Sequence, residues 1–224
     1  MDKQYVDIIF CLPGERFSAN FLTCWTKTLE YITSNSINWI YVNRYTPIVA
    51  STRNDMVRFL PGAYDGDPKN TIPFENKIIA KKIIFIDHDM IWSVLDIERL
   101  ILSDKDIVGG FYKMQKLNEN NINYLAARKN KKWLFEEDIK NKESPIELNG
   151  IGFGFIAIKF DVFNKIKFPW FETFDLFDEK ENCVYNVSED ISFCMKATEL
   201  GYKIYGDPKI KLGHEKLLTL DFQK

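Results

Sequence analysis

Unbroken apolar runs alternate along this chain with stretches of helical periodicity. Tyr5 to Leu12, YVDIIFCL, is a strand candidate with one polar residue, Asp7, while Ile83 to Ile86, inside KIIFIDHDMIW, runs apolar without the alternation of a half-exposed strand. Such runs read as strands buried on both faces, as in a parallel α/β sheet. Between them, Phe21, Leu22, Trp25, Leu29 and Ile32 recur at helical spacing, which predicts a helix over Ala19–Ser34 with Ser18 as its cap. Asn38 to Val42 is a second short strand, and Thr52-Arg53-Asn54-Asp55 opens a helix reaching about Leu60. Gly62 to Pro73 is turn-rich and reads as a loop within the domain.

Downstream, Val94 to Leu102 has the pattern of a short amphipathic helix. Asp106 to Tyr112 is a strand interrupted by Gly109-Gly110, a pair that would let a ligand or another backbone come close. Lys113 to Glu143 is polar, with edge-strand pieces at Tyr124–Ala127 and Lys132–Phe135; its basic group Arg128, Lys129, Lys131 and Lys132 reads as a solvated loop face. In Pro145 to Phe160, glycines at 150, 152 and 154 would leave one strand face as bare backbone, either the floor of a sugar pocket or a close packing surface. Asp161 to Ile166 makes a turn or two of helix. Phe168 to Phe177, FPWFETFDLF, suits stacking on a sugar ring or covering a core. Ser188 is placed to cap a helix that buries Ile191, Phe193, Cys194, Ala197 and Leu200 and ends at Gly201. Tyr202–Tyr205 and Ile210–Leu212 are closing strands around an Asp207-Pro208 turn, and Gly213-His214 follows.

Chemistry concentrates where these strands end. In an open α/β sheet, ligands sit at the carboxyl ends of the strands. Strand alternation sends Asp87 and Asp89 to one side and His88 to the other. Two carboxylates emerging together repel, and a hard divalent cation relieves that repulsion; the plainer reading is that one of them caps a helix at Met90–Trp92. Pro13-Gly14 makes a tight turn after the first strand, without the phosphate-binding glycine fingerprint. Arg53 and Asn54 at a helix start suit a diphosphate or ribose, or Arg53 pairs with Asp55 or a neighbouring acid. Glu189 and Asp190 lie in a first helical turn, where the dipole keeps carboxylates ionised. His214 is one of only two histidines.

Composition narrows the classes. At 224 residues, 46% of them hydrophobic, the chain can bury the core of one compact domain. A formal net charge of −2 disfavours binding to nucleic-acid backbones in bulk. The four cysteines form no C-x-x-C pair and no zinc spacing, which suits a reducing compartment. No secretory leader and no transmembrane run is legible, so a cytoplasmic location is expected, in a host cell if the chain is viral.

Asp87-His88-Asp89, the glycine-rich strand, Ser188-Glu189-Asp190 before a helix ending Glu-Leu-Gly-Tyr, and the late Gly213-His214 together resemble a GT-A glycosyltransferase of the family 2-like, nucleotide-diphospho-sugar type. The resemblance runs from Tyr5 to about His214, and the segments LPGERFSANFLTCW and STRN are similar to small transferases of viruses and phages. It implies a Rossmann-like α/β fold with a mixed, mainly parallel central sheet flanked by helices. The domain would be single over 1–224, with a nucleotide-binding half at 1–112 and an acceptor-side half at 113–224. By the same resemblance Asp87, Asp89 and His214 bind Mn²⁺, or Mg²⁺, and Pro13, Gly14, Arg53, Asn54, Asp87 and His88 line the nucleotide side. Asp190 deprotonates the acceptor, and Glu189 supports it. The implied activity is sugar transfer from a nucleotide-diphosphate donor, UDP-linked by default, to a glycan or other hydroxyl. Two other classes fit the residues: a metal-dependent nucleotidyltransferase or phosphohydrolase, and a non-catalytic glycan-binding module using Trp170 and Phe171.

Overall fold

The computed structural model describes residues 3–59, 71–115, 123–130, 132–178 and 182–216. Leu60, Lys131 and most of the turn-rich loop that ends at Pro73 lie outside the described residues. The principal elements, in chain order, are β1 (Gln4–Pro13), α1 (Ala19–Ser34), β2 (Trp39–Arg44), α2 (Val49–Arg58), β3 (Ile78–Ile86), α3 (Val94–Leu102) and β4 (Ile107–Phe111). They continue with α4 (Glu136–Ile139), β5 (Ile146–Leu148), β6 (Phe155–Lys159), α5 (Phe160–Lys165), α6 (Glu189–Glu199) and β7 (Ile204–Lys211).

The seven strands form one sheet in the order β5-β7-β4-β6-β3-β1-β2. β1 lies parallel to β2 and to β3, and β4 parallel to β7. β6 runs antiparallel between β3 and β4, and β5 runs antiparallel to β7. Thus β1, β2, β3, β4 and β7 share one direction, and the fold is a mixed α/β sheet flanked by helices, as expected. Among the described residues, no helix is long and apolar enough to cross a membrane.

The unbroken apolar runs have the expected cause. Ile83 and Phe85 of β3 enter the core on one face of the sheet, with Ile9, Trp170, Phe171 and Phe193. Ile84 and Ile86 enter the core on the other face, with Phe10, Phe21 and Trp92. Alternate side chains are apolar because both faces are covered. Ser18 caps α1 by accepting from the Phe21 amide at 3.0 Å, and Ser93 and Asp96 form a capping box for α3.

Some expectations change here, and one open alternative is decided. α2 begins at Val49, not at Thr52, so Arg53 and Asn54 lie inside the helix and away from its amino end. The glycine-rich segment is not one strand: it breaks after β5, pairs briefly at Gly150–Ile151, turns, and resumes as β6. Its glycines are close-packed, since a methyl on Gly154 would lie 2.9 Å from the Tyr112 ring and one on Gly150 2.6 Å from Ile191. Likewise Ile151 packs against Gly109 and Ile210 against Gly110, so no ligand has that space. Finally, Trp170 and Phe171 are wholly buried, and Phe171 stacks on Phe193 at 5.1 Å. They cover a core and cannot stack on a glycan, which removes the binding-module reading built on them.

Candidate functional site

Because β1 and β3 are parallel and in register at Cys11 and Phe85, the chain segments after Pro13 and Ile86 emerge side by side. β3 hands over to a turn at Asp87: its amide donates to the Gly154 carbonyl at 2.9 Å, and its carbonyl accepts from the Met90 amide at 3.1 Å. Met90–Ile91 then pairs antiparallel with Gly213–His214, placing Met90 opposite His214. This strand pairing replaces the helix considered at Met90–Trp92; the following helix, α3, is capped by Ser93 instead.

The two carboxylates of the Asp-His-Asp triplet have different partners. Asp87 accepts from Arg53 Nη2 at 3.0 Å on both carboxylate oxygens, while Arg53 Nη1 binds Glu189 at the start of α6. The Arg53 guanidinium also stands over the Phe153 ring at 5.5 Å. Arg53 is only 2% exposed, and its Nε has no hydrogen-bond partner among the described residues. A buried cation therefore joins the end of β3 to the beginning of α6. Burial raises the Asp87 carboxyl above its ordinary value, Arg53 opposes that, and Asp89 adds to the rise. Burial likewise raises Glu189, again against Arg53, with Asp190 adding to the rise.

Asp89 meets the far end of the chain. His214 Nε2 lies 3.0 Å from its Oδ2, and Lys216 Nζ donates to that same oxygen at 2.8 Å. Burial works to raise the Asp89 carboxyl, but the hydrogen bonds from His214 and Lys216 outweigh it and hold it well below the usual carboxylate range. The other ring nitrogen, His214 Nδ1, lies 2.8 Å from the Lys113 carbonyl, and the imidazole stands edge-on to Tyr112 at 5.1 Å. A carbonyl can only accept, so Nδ1 carries a hydrogen. In a neutral ring, Nε2 then points a lone pair at a carboxylate oxygen. Two acceptors facing each other require a proton or a cation between them. An imidazole whose second nitrogen is oriented by a backbone carbonyl is also the usual arrangement of a metal-binding histidine. The donor set fits a divalent ion bound by one nitrogen and one carboxylate, with further positions left for substrate oxygens. Among the described residues, no three His, Cys, Asp or Glu side chains converge on one point. Asp89 and His214 meet, and Asp87 is engaged by Arg53.

The remaining candidates divide. A methyl on Gly14, at φ +156°, would lie 2.6 Å from His88 Cβ, so His88 faces the Pro13-Gly14 turn. Asn43 holds that turn by donating to the carbonyls of Leu12 at 2.7 Å and Gly14 at 2.9 Å. Asn54 does not face this cleft. Its amide donates to the Phe171 carbonyl at 2.6 Å and its oxygen accepts from the Phe171 amide at 3.1 Å, so it pins the core segment. Ser188 gives α6 no side-chain cap; its hydroxyl donates to Asp190, whose Oδ1 also accepts from the Ile191 amide at 2.7 Å. Among the described residues no donor reaches Asp190 Oδ2.

Asn43, Tyr112, Glu215 and Lys216 were not legible as site residues. Glu215 accepts from Ser18 and, at 2.6 Å, from Asn20, and its amide donates to the Asp89 carbonyl at 2.8 Å. The available signal for Glu215 and Lys216 was their adjacency to His214.

No protein-family model matches this chain, and no curated protein matches it in sequence. Its likenesses are to solved structures. A197 from STIV has a TM-score of 0.51 at 16% identity, covering 97% of this chain and 98% of that one. GalNAc-T7, crystallised with UDP, GalNAc and Mn²⁺, has a TM-score of 0.48 at 13% identity over 95% of this chain and 44% of its own. The catalytic domain of Drosophila beta1,4galactosyltransferase 7, in complex with xylobiose, has a TM-score of 0.46 at 11% identity over 91% of this chain and 64% of its own. At these identities the likeness is one of fold alone, and with A197 it extends along nearly the whole of both chains.

Proposed function

We propose that this chain is a GT-A-type glycosyltransferase that moves a sugar from a nucleotide-diphosphate donor, UDP-linked in the first instance, to a hydroxyl acceptor. The observation that carries the reading is the convergence of Asp89 Oδ2 and His214 Nε2 at 3.0 Å, from positions 125 residues apart in sequence, where parallel strands end. Asp89 and His214 would hold Mn²⁺, which the imidazole favours over Mg²⁺. When bound, that ion supplies charge neutralisation for the departing diphosphate.

The chain's own groups perform the rest. Lys113 fixes the His214 tautomer through its carbonyl, and Tyr112 fixes the ring plane. The Pro13-Gly14 turn, with His88 packed against it, offers backbone to the nucleotide. Arg53 holds Asp87 and Glu189 in place and balances their charge. Asp190 keeps Oδ1 in hydrogen bonds with Ser188 and Ile191, so Oδ2 takes the proton from the acceptor hydroxyl. The hairpin Phe174–Asp178 and Cys183–Val187 precedes Ser188 directly and exposes Leu176, Phe177 and Val184, which supports an acceptor bound on the 113–224 side.

A thermal-shift screen of UDP- and GDP-sugars with and without Mn²⁺, followed by transfer assays on the donors that bind, tests the reading. A metal-dependent donor shift with turnover supports it; no nucleotide-sugar binding under either condition refutes it. Asp190→Asn is expected to lose transfer and keep donor binding. Unchanged turnover would remove Asp190 from the role of base.

A further inference from the structure

Three successive residues after β7 act on one aspartate in different ways. His214 approaches Asp89 Oδ2 through Nε2 at 3.0 Å, the Glu215 amide donates to the Asp89 backbone carbonyl at 2.8 Å, and Lys216 Nζ donates to Oδ2 at 2.8 Å. The Glu215 side chain turns away and is gripped by Ser18 and Asn20 at the start of α1. The backbone that carries Lys216 is therefore fixed by two separate elements. The Lys216 side chain is 50% exposed, against 8% for His214. An anchored backbone carrying a half-exposed ammonium differs from an ordinary surface ion pair, whose two ends are both free to drift.

That ammonium occupies the carboxylate oxygen that a divalent cation would need. Resting on the assignment of Asp89 and His214 as the cation-binding pair, we propose that Lys216 is the resident counter-ion of Asp89, displaced when a divalent cation binds, and that the released ammonium then binds the diphosphate of the donor. The distances permit the exchange. An oxygen sharing one Mg²⁺-sized ion with Asp89 lies within about 4.2 Å of Oδ2, because each metal–oxygen bond is about 2.1 Å. Lys216 Nζ already sits 2.8 Å from that oxygen, so a small rotation of the side chain brings it to a phosphate on the same ion. Lysine suits this exchange because it binds phosphate as a point charge on a flexible stem.

The proposal makes one residue act in opposite senses on two ligands. Lys216→Met keeps the stem and removes the charge. By calorimetric titration of the full chain, Mn²⁺ alone is expected to bind about threefold to tenfold more tightly to Lys216→Met than to wild type, since its competitor is gone. Inorganic pyrophosphate at saturating Mn²⁺ is expected to bind about threefold to tenfold more weakly. Lys216→Arg restores both towards wild type, and the melting temperature checks that each variant is folded. Changes of the same sign, or no change in either titration, overturn the role of Lys216 while Mn²⁺ binding by wild type leaves the site standing. A wild-type chain that binds no Mn²⁺ overturns both.

Discussion

Replacing Arg53 by methionine removes the buried cation that joins Asp87 to Glu189 and leaves two partly buried carboxylates without it. Arg53 is 2% exposed, so water cannot take its place without rearrangement. Breaking a buried pair by deleting one partner costs about 3–5 kcal/mol. The lost contact with the Phe153 ring, at 5.5 Å, falls within that range rather than adding to it. Asp87 and Glu189 are both raised in the folded protein from ordinary values of 3.8 and 4.5. Stability from such groups is fully present below those ordinary values and is lost as pH rises through the folded ones. Without Arg53 the folded values rise further, so the variant keeps losing stability into the neutral range. Each pH unit over which the native state holds one more proton than the unfolded chain changes the difference by about 1.4 kcal/mol. Urea denaturation of wild type and Arg53→Met at pH 5 and pH 8 measures this. The penalty should be larger at pH 8, and adding Glu189→Gln should recover part of it. A penalty below about 1 kcal/mol at pH 8, or one that is equal at both pH values, would refute the bridge.

Two further substitutions probe the scaffold. Asn54→Ala strands the Phe171 amide and carbonyl without their partners, at about 1–3 kcal/mol for each, and should lower the denaturation midpoint without altering Mn²⁺ affinity. If Mn²⁺ affinity falls as well, Asn54 reaches the site after all. Gly14→Ala puts a methyl 2.6 Å from His88 Cβ, and overpacking of that kind costs about 1–3 kcal/mol; donor binding should fall with it. An alanine variant as stable as wild type and equally able to bind donor would show that the turn does not constrain His88.

Much of the scaffold was readable because local rules and packing agree there. Ile8–Leu12 of β1 and Ile83–Ile86 of β3 are apolar at every position since both faces are covered, and Ser18 marks the start of α1. α2 carries no such mark: its cap position is Ile48, with no side-chain hydrogen bond, so the polar Thr52-Arg53-Asn54 looked like a beginning when it is an interior. The glycines at 150, 152 and 154 were read by strand periodicity, but their spacing reflects contact with Ile191 and Tyr112, which come from distant parts of the chain. Asn54 and Phe171 are likewise too far apart in sequence for any local pattern to link them. At the site, residue types with obvious chemistry stood out, and those whose importance comes from position, Lys216 and Glu215, did not. For Arg53 the residue types allow either an anion from outside the chain or a neighbouring acid; the acids it joins, Asp87 and Glu189, are too far away in sequence for a local pattern to name, and Asp55 pairs with Arg58 instead.

Calorimetric titration of Mn²⁺ into wild type, Asp89→Asn and His214→Ala measures whether Asp89 and His214 hold the cation. Saturable binding to wild type, weakened about tenfold or more in each folded variant, is the predicted result. Equal Mn²⁺ affinity in all three proteins would contradict the assignment of Asp89 and His214 as the cation-binding pair.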